Sequence, residues 1–385
     1  MKSIIKIGIS IIQKIIVYIG FFFNSFFNNK KDQLWVVAGV EVASMLKTMS
    51  DSIPNSVSVN FGENRFYDFT YTYSFGCQPF KFMLSLIHRP WLLGKLTTQR
   101  SNFLYIGGAG FLHFPEDGRD WEFRFLKSHG VKLVCYFTGS EIRSFDLLNQ
   151  YSQENEIDVI TTYQAYASPG IDSKKNEQYR RLLGVSADKY ADFIFNPPID
   201  QMAYISRPTL PYFYFVKREY FKQNIEKFND LSKVIIVHGP SSPLIKGTPI
   251  VRAAIKKLKE EGYNFEYREL IGIPHKEMLR SLSEAHIVLN QFYAFVPGVL
   301  TMEALANYCA VLTSADPEIE TSLPRNCKNA WKVTPYWKVY ENLKSMLDDP
   351  VMIKNYADAG YEWALENCEE GKALESFLKI IQSPL

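Results

Sequence analysis

The feature that most constrains this chain is a regular alternation of short apolar runs and amphipathic stretches between Lys233 and Ser314. Lys233-Val-Ile-Ile-Val-His238 is apolar and β-branched, as a strand buried on both faces requires. A polar loop, Gly239-Pro-Ser-Ser-Pro-Leu-Ile-Lys-Gly247, leads to Thr248-Pro249, which reads as an N-cap followed by proline at the first helical position. Ile250, Val251, Ala254, Ile255 and Leu258 then form an apolar stripe opposite a charged face, and Gly262 ends the helix. Further strands are expected at Asn264–Leu270, Ala285–Asn290 and Ala310–Thr313, with helices at His275–Glu284 and Gly298–Asn307. This α/β alternation predicts a parallel sheet with right-handed crossovers.

Such sheets place chemistry at the carboxyl ends of their strands. There, the loop after the first strand supplies hydroxyls (Ser241, Ser242), an ammonium (Lys246) and Gly247, and feeds a helix N-terminus. Backbone donors, the positive helix end and a cation together make an anion site, and a diphosphate is its natural occupant. Gly298 opens a later helix and permits close backbone approach, and Glu303 can accept from the vicinal hydroxyls of a ribose.

The segments 238–248, 253–262 and 297–306 resemble the donor domain of family 4-type glycosyltransferases, in divergent form. The resemblance implies the GT-B fold, two Rossmann-like doubly wound domains facing a cleft. It also implies retention of anomeric configuration and no metal or other cofactor. Lys246 would hold the donor diphosphate and Glu303 the ribose, as the catalytic pair. The backbone at Gly298, Val299 and Leu300 would line the donor phosphates and sugar, with Ser241, Ser242 and Gly247 beside the phosphates. Phe137-Thr-Gly-Ser-Glu-Ile-Arg143 is similar to the family's His-Gly-Ser-Asp-Ile-Arg segment, so Thr138, Gly139, Ser140, Glu141 and Arg143 are assigned to the N-terminal domain's side of the cleft. Three residues depart from the pattern. Phe295 stands where the family usually has a glutamate, Pro243 or Ser241 stands where an arginine accompanies the lysine, and Thr138 stands for the family's histidine.

A length of 385 residues with 46% hydrophobic content supports two domains with their own cores. A net charge of +2 gives no footprint for nucleic acid. Five scattered cysteines without a C-x-x-C pair read as reduced core residues of a cytosolic protein. The expected division is 1–31, an amphipathic membrane-associated helix; 32–210, an acceptor domain; 211–360, the donor domain; and 361–385, a helix crossing back to the first domain. Strands are expected at 34–41, Ser56–Val59, Asn102–Ile106, Val131–Phe137, Asp158–Thr162 and Phe193–Phe195, and a helix at Asp120–His129. The aromatic-rich stretch 61–98, with Arg65, Phe66, Lys81 and Arg89 among its residues, reads as loop-rich core, or alternatively as an acceptor or membrane surface. Gly107-Gly108 is a backbone approach site with His113 nearby, which joins the candidate set.

Residues 1–31 contain Lys2, Lys6, Lys14, Lys30 and Lys31 and no acid. Ser3, Lys6, Ser10, Gln13 and Lys14 form one polar stripe on an Ile/Phe-rich helix. The leading reading is a helix lying in the bilayer interface with its lysines on anionic headgroups. A spanning anchor and a helix packed on protein are the alternatives. Together these features predict transfer of a sugar from a nucleotide diphosphate-sugar to a lipid-linked or cell-surface polysaccharide acceptor. The expected location is the cytoplasmic face of the inner (plasma) membrane. A catalytically inactive membrane-bound subunit and a sugar-nucleotide epimerase are the rival expectations.

Overall fold

The computed structural model describes residues 2–26, 34–63, 67–76, 78–99 and 102–383, with the side chains of residues 2–4 also left aside. Lys30, Lys31, Arg65, Phe66 and Cys77 lie outside the described residues. The chain forms two units. Unit 1 is Met1–Ser144, Lys174–Asn196 and Gln201–Leu210; unit 2 is Phe145–Ser173, Pro197–Asp200 and Pro211–Leu385. The division therefore differs from a single break after residue 210. Residues 361–385 group with unit 2.

Unit 1 contains α1 (Lys2–Ser25), β1 (Trp35–Gly39), α2 (Met45–Ser52), β2 (Ser56–Asn60), β3 (Tyr73–Ser74), α3 (Pro79–Gln99), β4 (Asn102–Ile106), α4 (Asp120–Ser128) and β5 (Lys132–Tyr136). After α5 (Phe145–Asn155) and α6 (Ile160–Ala167) of unit 2, it resumes with α7 (Lys174–Tyr190) and β6 (Phe193–Phe195). Its six strands are parallel, in the order β3-β2-β1-β4-β5-β6. This is a doubly wound order whose switch point lies between β1 and β4. Val36, Ala38, Phe103, Tyr105, Leu133 and Cys135 turn to one core with Leu92, Leu93 and Leu96 of α3 and Val17 of α1.

Two expectations for this half are corrected. The stretch 61–98 is not loop-rich throughout: Pro79–Gln99 is a 21-residue helix that carries Pro90 in its interior. Pro90 has no N–H to give the carbonyl of Leu86, four residues back. Gln13 of α1 fills that gap, donating from Nε2 to the Leu86 carbonyl at 3.3 Å. Likewise 158–162 is not a strand. Ile160, Thr161 and Gln164 are buried at helical spacing, in α6.

The polar stripe of α1 lies along the side packed on the protein, with Lys6 and Lys14 half-buried at its border. Gln13, Val17 and Gly20 are buried, and the Nζ atoms of Lys6 and Lys14 lie 5.2 Å and 5.5 Å from the Phe114 and Trp121 ring centres. A Cβ on Gly20 would sit 2.6 Å from the Trp91 carbonyl, and one on Gly94 2.2 Å from the Val17 carbonyl. Glycine at both positions lets the two helix backbones touch. By length and composition Ile5–Ser25 is able to cross a bilayer.

Unit 2 continues with β7 (Val234–His238), α8 (Thr248–Glu260), β8 (Phe265–Glu269), α9 (His275–Glu284), β9 (Ile287–Leu289), α10 (Val299–Ala306), β10 (Ala310–Thr313), β11 (Lys332–Val333), α11 (Val339–Asp348), α12 (Pro350–Asn367) and α13 (Glu370–Gln382). The sheet is parallel, in the order β11-β10-β9-β7-β8. Alternate residues serve two cores. Val237, Val288 and Val311 turn to one, and Ile236, Leu289 and Leu312 to the other. Such full burial explains why these strands read as continuous apolar runs. At the start of α8 the cap is Gly247, in the left-handed region (φ 80°), and Thr248 is the first helical residue rather than the N-cap. The Thr248 hydroxyl is engaged by His238 instead, at 2.8 Å. Cys135, Cys309, Cys327 and Cys368 are buried and free.

Candidate functional site

The sheet of unit 2 reverses its winding between β7 and β9, the place where such folds leave a crevice at the strand ends. The loop after β7 reaches this point from one side and the residue after β9 from the other. Lys246 Nζ donates to the side-chain oxygen of Gln291, and Gln291 Nε2 donates to the Val296 carbonyl. Gln291 is buried, and its carbonyl accepts from Ser314 N and Thr313 Oγ1, each at 3.0 Å. A side chain so fixed holds the lysine at the switch point.

Gly298 caps α10 with φ 74° and ψ 163°, a conformation that glycine adopts without strain. A Cβ there would meet the Gln291 amide at 3.4 Å. The start of α10 and the Lys246 partner therefore share one locale. The Gly298 amide is itself taken, since it donates to the buried Tyr214 hydroxyl at 3.1 Å. The next amides, at Val299 and Leu300, open the helix and have no carbonyl a turn behind them inside it.

Glu303 lies one turn further on and is almost fully buried. Its Oε1 pairs with His275 Nε2 at 2.6 Å, and the His275 ring stands edge-on to Tyr220 at 5.6 Å. The second carboxylate oxygen remains for an incoming hydroxyl. At the base of the site His238 donates from Nδ1 to the Leu289 carbonyl at 2.7 Å and accepts from Thr248 at Nε2. Burial lowers its pKa, so it is a neutral structural brace.

Ser241 is exposed and Ser242 half-buried in the turn that carries Lys246, whose amide donates to the Ser242 carbonyl at 3.0 Å. Pro243 lends its carbonyl to Thr248 N at 2.9 Å. Phe295 is buried, its ring 5.9 Å from Tyr151 and its amide on Asp200 Oδ1 at 2.7 Å.

In unit 1 the loop after β5 folds on itself. The Glu141 carboxylate accepts from Thr138 N at 2.5 Å and from Thr138 Oγ1 at 3.0 Å. Cβ atoms on Gly107 and Gly108 would lie 3.4 Å from Thr138 Oγ1 and 3.0 Å from Glu141 Cβ, so those glycines admit this loop against the end of β4. The amides of Ile142 and Arg143 return to the Gly139 carbonyl, the Ser140 carbonyl takes Arg180 Nε at 3.0 Å, and Arg143 is buried.

His113 does not join this loop through any described contact. Its Nε2 meets Ser85 Oγ at 3.0 Å, its ring lies edge-on to Phe82, and its amide donates to Gln13 Oε1 at 3.1 Å. Burial, reinforced by Arg89, lowers its pKa to about 4. The turn after β1 is filled from within as well. Buried Glu41 accepts from the first amides of α2, Leu46 N and Lys47 N, and from Tyr71 Oη at 2.8 Å. Gln291, His275 and Tyr214 are the site residues that sequence reasoning missed. Gln291 alone left a trace, as the residue just past an expected strand end.

No family model matches the chain, and no curated protein matches it. Solved structures do. Anabaena HepE in complex with UDP-glucose shares 11% identity over 90% of this chain and all of its own, with a TM-score of 0.56. Sucrose-phosphate synthase from Thermosynechococcus elongatus shares 12% over 91% of this chain and 99% of its own, at 0.52. A Listeria monocytogenes protein described as a UDP-N-acetylglucosamine 2-epimerase shares 13% over 92% and 96%, at 0.51. The chain has the GT-B fold, in common with these glycosyltransferases and epimerases.

Proposed function

We propose that the protein is a glycosyltransferase moving a sugar from a nucleotide diphosphate-sugar to a lipid-linked or cell-surface polysaccharide acceptor, with retention and without a metal. One observation carries the reading: Lys246 and the opening of α10 converge on Gln291 at the β7/β9 switch point. An ammonium and helix-opening amides at one spot suit a diphosphate. Bound there, the sugar's C1–O bond to diphosphate breaks and the acceptor oxygen bonds to C1. The acceptor proton passes to the departing phosphate oxygen. Negative charge accumulates on the leaving group, where Lys246 and the Val299 and Leu300 amides stabilise it. The free oxygen of Glu303 accepts from the ribose while His275 holds the other.

Acceptor recognition is assigned to the 138–143 loop of unit 1, and membrane attachment at the cytoplasmic face to α1. Screening nucleotide-sugars for transfer to membrane acceptors tests the reaction. Lys246→Ala is expected to lower turnover at least about 100-fold with the fold retained; unaltered turnover removes the mechanism.

A second reading, a non-catalytic membrane-bound subunit, is favoured by how fully the site serves itself. Lys246, Glu303 and the Gly298 amide each have an intramolecular partner. That reading predicts no binding of any uridine or guanosine diphosphate.

A further inference from the structure

Helices α1 and α3 run side by side in the same direction. Gln13 meets Leu86, Gly20 lies on Trp91, and Gly94 lies against Val17 and Phe21. This register sets Phe80–Ile87 beside the first half of α1. The side chains turned away from the seam are apolar on both helices. Ile5, Ile12, Ile15, Phe22 and Phe23 of α1 are each more than half exposed, as are Phe80, Met83, Leu84 and Ile87 of α3. Two adjacent helices thus present one broad apolar face, of the kind that marks an interaction surface.

Charge identifies the occupant. Neither the 24 residues of α1 nor the 21 of α3 include an Asp or Glu, in a chain with 41 acidic residues among 385. The charged side chains of the two helices, among them Lys6, Lys14, Lys81, Arg89 and Lys95, are all cationic. Two copies of such a face repel, whereas anionic headgroups complement it. Spanning is disfavoured by the seam. Gln13, Val17 and Gly20 are buried on α3, and Gln13 serves the carbonyl that Pro90 leaves open. A spanning α1 would abandon these contacts or draw α3 into the bilayer with it. Yet Arg89 of α3 is anchored to the Gly110 carbonyl and stacked on Phe61 inside unit 1.

We propose that α1 and the first half of α3 form a single lipid-docking surface that lies in the plane of one anionic leaflet. The inference rests on the membrane attachment proposed above and is independent of the transfer reaction. The test uses the full chain in flotation with vesicles of phosphatidylcholine alone or mixed with phosphatidylglycerol. Leu84→Glu combined with Ile87→Glu is expected to lower binding to the mixed vesicles at least about tenfold, with circular dichroism and nucleotide binding unchanged. Fluorophores at Ile5→Cys and Phe23→Cys, in a Cys77→Ser background, are expected to report equal depth to lipid-borne quenchers. A spanning helix separates those positions by about 27 Å. Unchanged binding by the α3 double variant, or labels in opposite leaflets, overturns the in-plane surface while attachment stands. An unmodified chain that ignores both vesicle types, or pairs as a soluble dimer instead, overturns attachment itself.

Discussion

Gly298 ties the site's geometry to one backbone angle. A side chain at φ 74° and ψ 163° is strained, and its Cβ would come into contact with the Gln291 amide. Gly298→Ala is expected to cost about 1–3 kcal/mol of stability and to disturb Lys246 through Gln291; a thermal melt with a UDP titration reads both. His275 and Glu303 make a sharper prediction. His275→Ala and Glu303→Gln should each weaken UDP binding roughly tenfold, the size of a lost hydrogen bond to a charged group. Neither should change the affinity for a dideoxyribose analogue, which lacks the hydroxyls that Glu303 would receive. Lys246, Gly298 and Glu303 were picked out as candidates because each falls in a strand-end loop or helix start that the apolar runs mark. Gln291 and His275 were not, because their partners lie 45 and 28 residues away and meet them only once β7 and β9 are neighbours.

At the scale of elements, α3 was hidden by its own composition. Pro90 lies in the interior of an aromatic-rich stretch, and the side chain of Gln13, far away in sequence, supplies what the proline withholds. Gln13→Leu leaves both the Leu86 carbonyl and the His113 amide without that partner. It should therefore loosen α1, at about 1–3 kcal/mol for each buried group left unsatisfied. Faster amide exchange in 10–21 and 84–94 checks this. Gly94→Val should detach α1 outright, since the added atoms meet backbone on every side; protease cleavage within α1 checks that.

The pH response of the same seam follows from His113. Its folded pKa of about 4 lies below the usual value of about 6.5, so the unfolded chain takes the proton first. Stability is fully present above about 6.5 and is lost as pH falls toward about 4. His113→Gln is expected to flatten that slope in urea titrations. The misread strand at 158–162 has a related cause. A short β-branched run suits strand or helix equally, and burial at helical spacing decided it.

At the scale of the molecule, the alternation in 233–314 announced a parallel sheet, and the strands of unit 2 pair in parallel, in an order the alternation does not specify. The same pattern is weaker in unit 1, where β3 has two residues and long helices intervene, yet β4 and β5 were readable from their apolar runs. That 145–173 and 197–200 belong to unit 2 was not readable. Such a boundary depends on which surfaces find each other, not on local composition. The proposed transfer depends on a pyrophosphate held by Lys246 and the mouth of α10. Calorimetric titration of UDP into the protein and into its Lys246→Ala variant tests that most directly. Saturable binding by the protein, weakened at least about 100-fold in the variant, about 2.7 kcal/mol, is the predicted result. Equal affinity in the two proteins, or none in either, contradicts it.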